Sequence, residues 1–435
     1  MRRALVLVVL LVLALAAPAT ADPISHGATV VQRDAAADCR YAGGPCQPEA
    51  DVSGWDTTWT HRALAFQYAL ATTLPLRDAP WVGTHNSFNS VAEMGPTLSD
   101  SDSNQQLAIP DQLAVDVRGI ELDLHSFAGR QVVCHARGAD EGHAGCSIER
   151  EVSSVAAEIG TWLRAHRDQV LLLYLEDHLD GAADHDAATA ALRAGLGDVI
   201  YQPSGPGCTK LPLTLSRSAA LAAGKQVIIV SDCGEGAAWQ GIAFDWSQHV
   251  ESGSPGGFRD FPDCGPDYTR SVYDTNLVRY FEDSTWLSEG VSFASGGADD
   301  PGITPATAAA MARCGVDLLG LDQLLPGDGR LDALVWSWAR DEPRAGAGDC
   351  TVQRPDGRWE ARSCDERHPA TCSDGAGGWL VTLKSARAGD ATKLCAHEGM
   401  TFAPPRTGYE NALVRASSAG GTAWLNVRAT WRPSR

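Results

Sequence analysis

The chain has 435 residues and carries 54 acidic against 35 basic side chains, a formal net charge of -19. This length exceeds the roughly 250 residues of a typical α/β barrel, so one barrel and a smaller domain fit it. The acidic excess argues against nucleic acid as a partner, because binding to phosphates needs clustered Lys and Arg, and against lasting adsorption to anionic lipid.

Residues 1–21 have the pattern of a secretory signal peptide. Arg2 and Arg3 precede an apolar run over residues 4–17, and small residues at 19 and 21 predict cleavage near Ala21. Loss of the two arginines takes the net charge from -19 to -21. We therefore expect a secreted, extracellular protein.

Twelve cysteines, an even number, predict disulfides in an exported chain. The local pairs expected are Cys39 with Cys46, Cys134 with Cys146, and two bridges among Cys350, Cys364, Cys372 and Cys395. A zinc site is the competing interpretation. It is disfavoured because the close Cys-x₂-Cys pairs of zinc ribbons are absent.

Residues 22–59 are polar and predict an irregular N-terminal segment. From there, apolar runs alternate with helical patterns, which is typical of a parallel α/β fold. The predicted strands are 79–83, 119–124 with a partner strand at 131–134, 170–175, 226–231, 242–246 and 316–321. The predicted helices are 60–73, 149–166, 184–196, 268–281, 306–314 and 331–339. We expect a TIM-type (β/α) barrel over residues 60–343, in which eight strands cannot all be identified.

The composition changes after residue 348. Residues 349–435 carry four cysteines, alternating stretches with Trp, and little helical periodicity. They predict a small, disulfide-braced, β-rich domain. Such a module could bind carbohydrate or a cell surface, but a module without an assignable ligand is the more common case.

Polar side chains end four of the predicted strands. In chain order they are His85 and Asn86, Glu121 and Asp123, His135, and Glu176. Glu121 and Asp123 are two residues apart, so on a strand both project to one face, where they repel each other unless a cation lies between them. Calcium accepts carboxylate and amide oxygens of this kind. The alternative is ordinary ion pairing with Arg118 or Arg137.

A single His at a strand end is more often structural than catalytic. Two of them, His85 and His135, flank the acidic cluster, and His titrates in the range that proton transfer needs. We expect His125 to support the site from behind. For Asp177, His178 and Asp180 we expect only solvated loop charge.

The order His-Asn, Glu-x-Asp, His, Glu resembles the catalytic half of calcium-dependent phosphatidylinositol-specific phospholipase C of the secreted bacterial type, within the superfamily of phospholipase C-like phosphodiesterases. The likeness spans about residues 75–340, with the specific motifs between Gly83 and Glu176. It implies Ca²⁺ held by Asn86, Glu121, Asp123 and Glu176. It also implies that His135 is the general acid for the diacylglycerol leaving group and that His85 stabilises the pentacoordinate phosphate.

The resemblance implies cleavage of phosphatidylinositol to diacylglycerol and a cyclic inositol phosphate, with transient contact to a lipid surface and no stable protein partner. Metal-independent relatives carry basic groups where calcium would act, whereas the matching positions here are acidic. A glycerophosphodiester phosphodiesterase is the second interpretation, but such enzymes resemble His-Arg-Gly at the first motif, where this chain has His85-Asn86-Ser87. A catalytically inactive secreted binding protein is the third.

Overall fold

The central sheet contains eight parallel strands and one antiparallel partner. The computed structural model describes residues 30–31, 49–50, 52–90, 92, 103–135, 150–247, 249–251, 257–264, 270–282 and 302–429. The predicted signal peptide and the predicted Cys39–Cys46 bridge lie outside these residues. The strands described up to the end of the barrel are β1 Val30–Val31, β2 Glu49–Ala50, β3 Trp81–Thr84, β4 Gly119–Phe127, β5 Arg130–Val133, β6 Leu171–His178, β7 Val227–Ser231, β8 Ala243–Asp245, β9 His249–Glu251, β10 Leu277–Phe281 and β11 Leu318–Leu321.

The order of the strands follows the chain around an open barrel. The sheet runs β8-β7-β6-β4-β3-β11-β10-β9, all of these neighbours are parallel, and β5 pairs antiparallel with β4. The first and last strands therefore meet, because β11 pairs with β3. Among the described residues no pairing joins β8 to β9, and the barrel is open there. The α/β fold and the irregular TIM-type barrel are confirmed.

Helices cover the outside of this sheet. They are α1 Trp59–Ala71, α2 Ile109–Ala114, α3 Val152–Ala165, α4 Gly181–Leu196, α5 Arg217–Ala222, α6 Ala237–Gln240, α7 Arg270–Tyr273, α8 Pro305–Cys314 and α9 Arg330–Leu334. The ends of α8 follow from its sequence: Thr304 accepts a hydrogen bond from the backbone N–H of Thr307, Pro305 is the first helical residue, and Gly315 ends the helix with φ of 76°. Among the described residues no helix combines the length and the hydrophobicity needed to span a membrane.

The period-two alternation of the strands creates two apolar layers. Side chains such as Ile120, Leu122 and Leu173 face outward and pack under the helices. Side chains such as Leu172 and Val230 face the barrel interior and pack with Trp81, Phe244 and Trp246. The interior is therefore largely filled by apolar side chains, and the acidic side chains that face it lie towards the carboxyl ends of the strands.

Two predicted helices are wrong in part. Residues 268–281 were expected to be helical, but the structure has the short helix α7 and then strand β10. The inward-facing Arg279 interrupts the apolar run by which a buried strand is recognised. Helix α9 ends at Leu334, short of the predicted residue 339. The backbone of Trp338 instead forms a β-bridge with Trp359 of the C-terminal region. Strand β9 was not predicted.

The C-terminal region has two small sheets and two helices. Its elements are β12 Cys350–Gln353, β13 Trp359–Arg362, β14 Thr371–Ser373, β15 Trp379–Val381, α10 Ala391–His397, β16 Thr401–Phe402, α11 Gly408–Ser417 and β17 Ala423–Arg428. Two helices also occur in this region, although its sequence shows little helical periodicity. Trp338, Trp359 and Phe66 of α1 pack together, so the apolar core continues from the barrel into this region.

The disulfides agree with the prediction where it can be compared. Cys350–Cys364 and Cys372–Cys395 brace the C-terminal region as two local bridges. Cys134 is also disulfide-bonded, and its predicted partner Cys146 lies outside the described residues. Two further bridges join Cys208 to Cys233 and Cys264 to Cys314. The spacing of these four cysteines did not predict their pairing.

Candidate active site

The acidic residues predicted to bind a metal meet at the carboxyl ends of β4 and β6. Asp123 lies directly beside Glu176 in the register of the two strands, and Glu121 lies one step below on the same face of β4. Glu121 is 2% and Asp123 3% exposed. The structure thus brings three carboxylates together, of which Glu121 and Asp123 are buried and Glu176 is partly exposed.

Burial makes ionisation of this cluster unfavourable. It raises the pKa of Glu121 from 4.5 to about 7, although the positive charges of His85 and Arg279 oppose the shift. Burial, followed by repulsion from Glu121 and Glu176, raises the pKa of Asp123 well above its ordinary value. A hydrogen bond from His178 keeps the pKa of Glu176 low. Two of the three acids therefore retain protons at moderate pH unless a cation displaces them.

Asn86 completes the set of predicted metal ligands. Its φ of 43° is in the left-handed region, which Asn tolerates better than most residues, and this turn directs its backbone N–H to Glu121 Oε2 at 3.0 Å. One terminus of its side-chain amide lies 3.0 Å from both carboxylate oxygens of Asp123, and the other lies 3.3 Å from His85 Nε2. With the nitrogen turned to Asp123, both termini are hydrogen-bonded; with the oxygen there, a proton on Asp123 or a cation must lie between them. The donor set of amide and carboxylate oxygens therefore fits a hard dication.

His178 joins this cluster, which corrects the sequence interpretation. It is the last residue of β6, its Nε2 is 3.0 Å from Glu176 Oε1, and its ring stacks on that of His125 at 4.4 Å between centroids. One donor atom each of Asp123, Glu176 and His178 lie within 4.8 Å of one another. Asp177 is not solvated loop charge either, because it accepts a hydrogen bond from the buried His185 at 2.8 Å.

His85 is held between two acids. Its Nδ1 is 3.2 Å from Asp322 Oδ2 and its Nε2 is 3.9 Å from Glu121 Oε2. Burial favours the neutral ring, but attraction to Asp322 and Glu121 outweighs it and raises the pKa of His85 to about 10. The neighbouring acids therefore favour the protonated, positively charged form of the ring.

Asp322 was missed from the sequence. It directly follows β11, a buried strand, so the rule that selected Glu121 and Asp123 would also have selected it. The side-chain amide of Gln105 donates to Asp322 Oδ1 at 3.2 Å and to the backbone oxygens of His85 at 2.6 Å and Leu321 at 2.8 Å. These bonds lock the ends of β3 and β11 together.

Arg279 was also missed, because its segment was taken for a helix. Its side chain is 6% exposed inside the barrel. The guanidinium carbon lies 4.7 Å from the ring centroids of both Tyr174 and Phe281. Its charge is close enough to lower the pKa of Glu121. The acidic cluster therefore has a permanent cation nearby, which the sequence did not reveal.

His135 lies at the same end of the barrel. It comes two residues after β5, and the backbone N–H of the intervening Cys134 donates to the carbonyl oxygen of Asp123 at 3.1 Å. The structure thus brings His135 to the strand that carries the acids, on the same edge of β4 as β3 but further along β4, since β6 occupies the other edge. The catalytic role of His135 stays a prediction.

A family model described as the Rv2075c PI-PLC-like domain matches residues 48–328, well over half of the chain. The chain belongs to this family. The matched residues include every predicted site residue as well as Arg279 and Asp322. The PI-PLC-like domain therefore contains the whole cluster described above, and the match ends before the C-terminal region.

Two relatives from one organism agree with this assignment. The chain is similar to two proteins of Mycobacterium tuberculosis named "Uncharacterized protein Rv2075c" and "Uncharacterized protein MT2135", each 42% identical over 422 residues, which cover 90% of this chain and 86% of the relative. Among solved structures it is similar to phosphatidylinositol-specific phospholipase C from Listeria monocytogenes, with 15% identity, 63% of this chain and 97% of that chain covered, and a TM-score of 0.42. The enzyme from Staphylococcus aureus has 15% identity, the same coverage of 63% and 97%, and a TM-score of 0.41.

Proposed function

We propose that the protein is a secreted, calcium-dependent phosphodiesterase that cleaves phosphatidylinositol to diacylglycerol and a cyclic inositol phosphate. The observation that supports this best is the placement of Asp123 beside Glu176, with Glu121 on the same face of β4 and the side-chain amide of Asn86 3.0 Å from Asp123, next to His85. With Asp322 and Arg279 included, four carboxylates face two cations, so ionisation of all four acids would leave two negative charges. One dication neutralises this excess.

Asn86, Glu121, Asp123 and Glu176 would hold the calcium. When bound, calcium raises the acidity of the inositol 2-hydroxyl and neutralises charge on the phosphate. Glu121 or Asp123 takes the proton of that hydroxyl, whose oxygen forms the new bond to phosphorus. The bond from phosphorus to the diacylglycerol oxygen breaks, and His135 donates a proton to the leaving alkoxide. His85, held by Asp322, stabilises the charge that develops on the phosphate oxygens.

The scarcity of basic groups supports an inositol without further phosphates. Beyond the predicted signal peptide, the only lysines are Lys210, Lys225, Lys384 and Lys393, and two of them lie in the C-terminal region. Arg118 donates to backbone oxygens and to Gln169, and Arg279 is packed between aromatic rings. Phosphates at ring positions 4 and 5 need several converging cations. We expect phosphatidylinositol or the glycosylated inositol of lipid anchors to be preferred over the bisphosphate.

A substrate comparison tests the proposal. Initial rates are measured on phosphatidylinositol, its 4,5-bisphosphate and a glycerophosphodiester, each with calcium and with excess chelator, and the products are followed by phosphorus NMR. We expect calcium-dependent cleavage of phosphatidylinositol, with a cyclic phosphate as first product. Faster cleavage of the glycerophosphodiester would support the second interpretation instead. No cleavage of any substrate would support a binding protein.

A further inference from the structure

A second buried ion pair lies behind the active site. Glu282 directly follows β10, and Arg330 is the first residue of α9. Arg330 Nη1 donates to Glu282 Oε2 at 2.7 Å, and the two side chains are 10% and 5% exposed. Neither residue was singled out from the sequence, and neither touches the acidic cluster.

This pair holds both polar groups of the Asp322 main chain. The backbone N–H of Asp322 donates to Glu282 Oε2 at 2.6 Å, and the backbone oxygen of Asp322 accepts from Arg330 Nη2 at 2.8 Å. The other oxygen of Glu282 accepts from the backbone N–H of Ile303. The pair therefore binds the main chain of Asp322, while the side-chain carboxylate of Asp322 contacts His85.

The backbone around the pair leaves room for it. A Cβ atom on Gly302 would collide with Glu282 Oε1, so any other residue there would displace the carboxylate. Arg330 is fixed in turn by Asp328, which accepts from Arg330 Nε at 2.9 Å. Each member of the pair thus has a fixed position independent of Asp322.

Stability alone does not account for such a pair. Removing two charges from water costs about as much as their attraction returns, and apolar replacements of buried ion pairs are often neutral or stabilising. Burial raises the pKa of Glu282 to about 7 even with Arg330 beside it. A fixed direction for Asp322 is what the pair provides, since a displacement of about 1 Å in Asp322 would break a 3.2 Å contact to His85.

We propose that the Glu282–Arg330 ion pair is a positioning device that directs Asp322 towards His85 and acts on the reaction only through these two residues. This inference rests on the proposed function, because that function places His85 beside the phosphate. Glu282 and Arg330 are positioning residues and do not touch the substrate.

A double-mutant cycle tests the proposal. Glu282→Gln turns one acceptor oxygen into a donor that faces a backbone N–H and removes the charge opposite Arg330. We expect it to lower kcat by about 10-fold with KM nearly unchanged, as loss of an orienting partner typically does. In an Asp322→Asn background, where the contact to His85 is already altered, Glu282→Gln should change kcat by less than about two-fold. Equal losses in both backgrounds would overturn the proposal.

A matched control is available in Glu342. This buried carboxylate also accepts from two backbone N–H groups, of Arg344 and Ala361, and pairs with Arg344 at 2.6 Å, but it lies at the start of the C-terminal region. Glu342→Gln should lower the melting temperature without lowering kcat. If Glu282→Gln fails to fold, Arg330→Lys replaces it, because Lys keeps the charge but cannot bind Glu282 and the Asp322 oxygen in the same geometry.

A readout independent of activity separates this inference from the proposed function. In protein with ¹⁵N-labelled histidine, the Nδ1–H resonance of His85, assigned by loss in a His85→Gln variant, reports the bond to Asp322. We expect Glu282→Gln to shift or broaden this resonance and Glu342→Gln to leave it unchanged. An unshifted resonance would contradict the positioning role. A shifted resonance in a protein that does not cleave phosphatidylinositol would contradict the proposed function alone.

Discussion

The two ends of the barrel both bury charge, but they stabilise it differently. At the carboxyl end, Glu121 and Asp123 are crowded together with Glu176, and burial raises the pKa values of the first two. At the amino end, Arg217 is 0% exposed, with its guanidinium carbon 4.0 Å from the ring centroid of Tyr68 and 4.9 Å from that of Trp81. Aromatic ring faces can stabilise a buried cation without another charged group, whereas clustered carboxylates need a bound cation to stay ionised.

Cavity size does not distinguish the functional end. A cavity of about 2140 Å³ lies at the amino end, lined by residues that precede the strands, such as Pro80, Arg118 and Gln169. The residues that can carry chemistry lie at the other end. In parallel barrels the reaction is carried out at the carboxyl ends of the strands, so we locate the function by charge and strand direction.

The largest effect is expected from the acids. Asp123→Asn and Glu121→Gln each remove a charged oxygen proposed to bind calcium, and Glu121→Gln also removes the carboxylate that faces His85. Loss of a residue that only orients a metal ligand weakens metal binding by roughly 10- to 100-fold. Loss of a proposed ligand itself should weaken calcium binding by more than this. Calcium titrations of activity measure this. An unchanged calcium requirement in both variants would place the cation elsewhere.

The two histidines come next. His85→Ala and His135→Ala should each lower kcat by about 10²- to 10⁴-fold, the usual contribution of a positioned acid or base. Calcium affinity should change little, because neither ring is proposed as a ligand. Stopped assays with matched calcium titrations check both statements. Near-wild-type turnover in either variant would contradict the role given to that residue.

A smaller effect concerns pH. The pKa of Glu121 is about 7 in the folded protein and near 4.5 in an unfolded chain. Between pH 4.5 and pH 7 the folded state therefore keeps a proton that the unfolded state has lost, and raising the pH in this range favours unfolding. In chelator, the melting temperature should therefore fall as the pH rises from about 4.5 to 7. Glu121→Gln should flatten this slope, and calcium should oppose it by favouring the ionised form. A rising melting temperature in the wild-type protein without calcium would contradict the shift.

The smallest effect is expected at the amino end. Arg217→Met keeps most of the side-chain volume and removes a buried charge whose pKa burial already lowers. We expect kcat within about two-fold of the wild type and an unfolding free energy within ~1.5 kcal/mol. Denaturant titration and the lipid assay measure both. A large loss of activity with normal stability would show that the cavity takes part in the reaction.

The sequence predicted the acidic cluster because strand-end residues are a local signal. Glu121 and Asp123 share a face by period two, and the structure confirms that both lie on one strand, β4. Arg279 was not predicted as a site residue because its strand is only five residues long and carries this charged side chain at its centre.

Contacts between distant segments could not be predicted. Gln105 lies in a loop, and its bonds to His85 and Asp322 depend on tertiary packing that no periodicity encodes. The Glu282–Arg330 pair joins a strand end to a helix start 48 residues away. Asp322 differs from these, because it follows a predicted strand and was accessible to the reasoning that selected Glu121.

The most direct test of the central claim is calcium binding by the wild-type protein, measured calorimetrically at pH 6 in two buffers with different ionisation enthalpies. The protonated acids of the empty cluster must ionise when they bind a cation. The account predicts one calcium ion per chain, with protons released in both buffers, and loss of this binding in Asp123→Asn. Absence of binding at millimolar calcium, in a preparation that cleaves phosphatidylinositol, would contradict it.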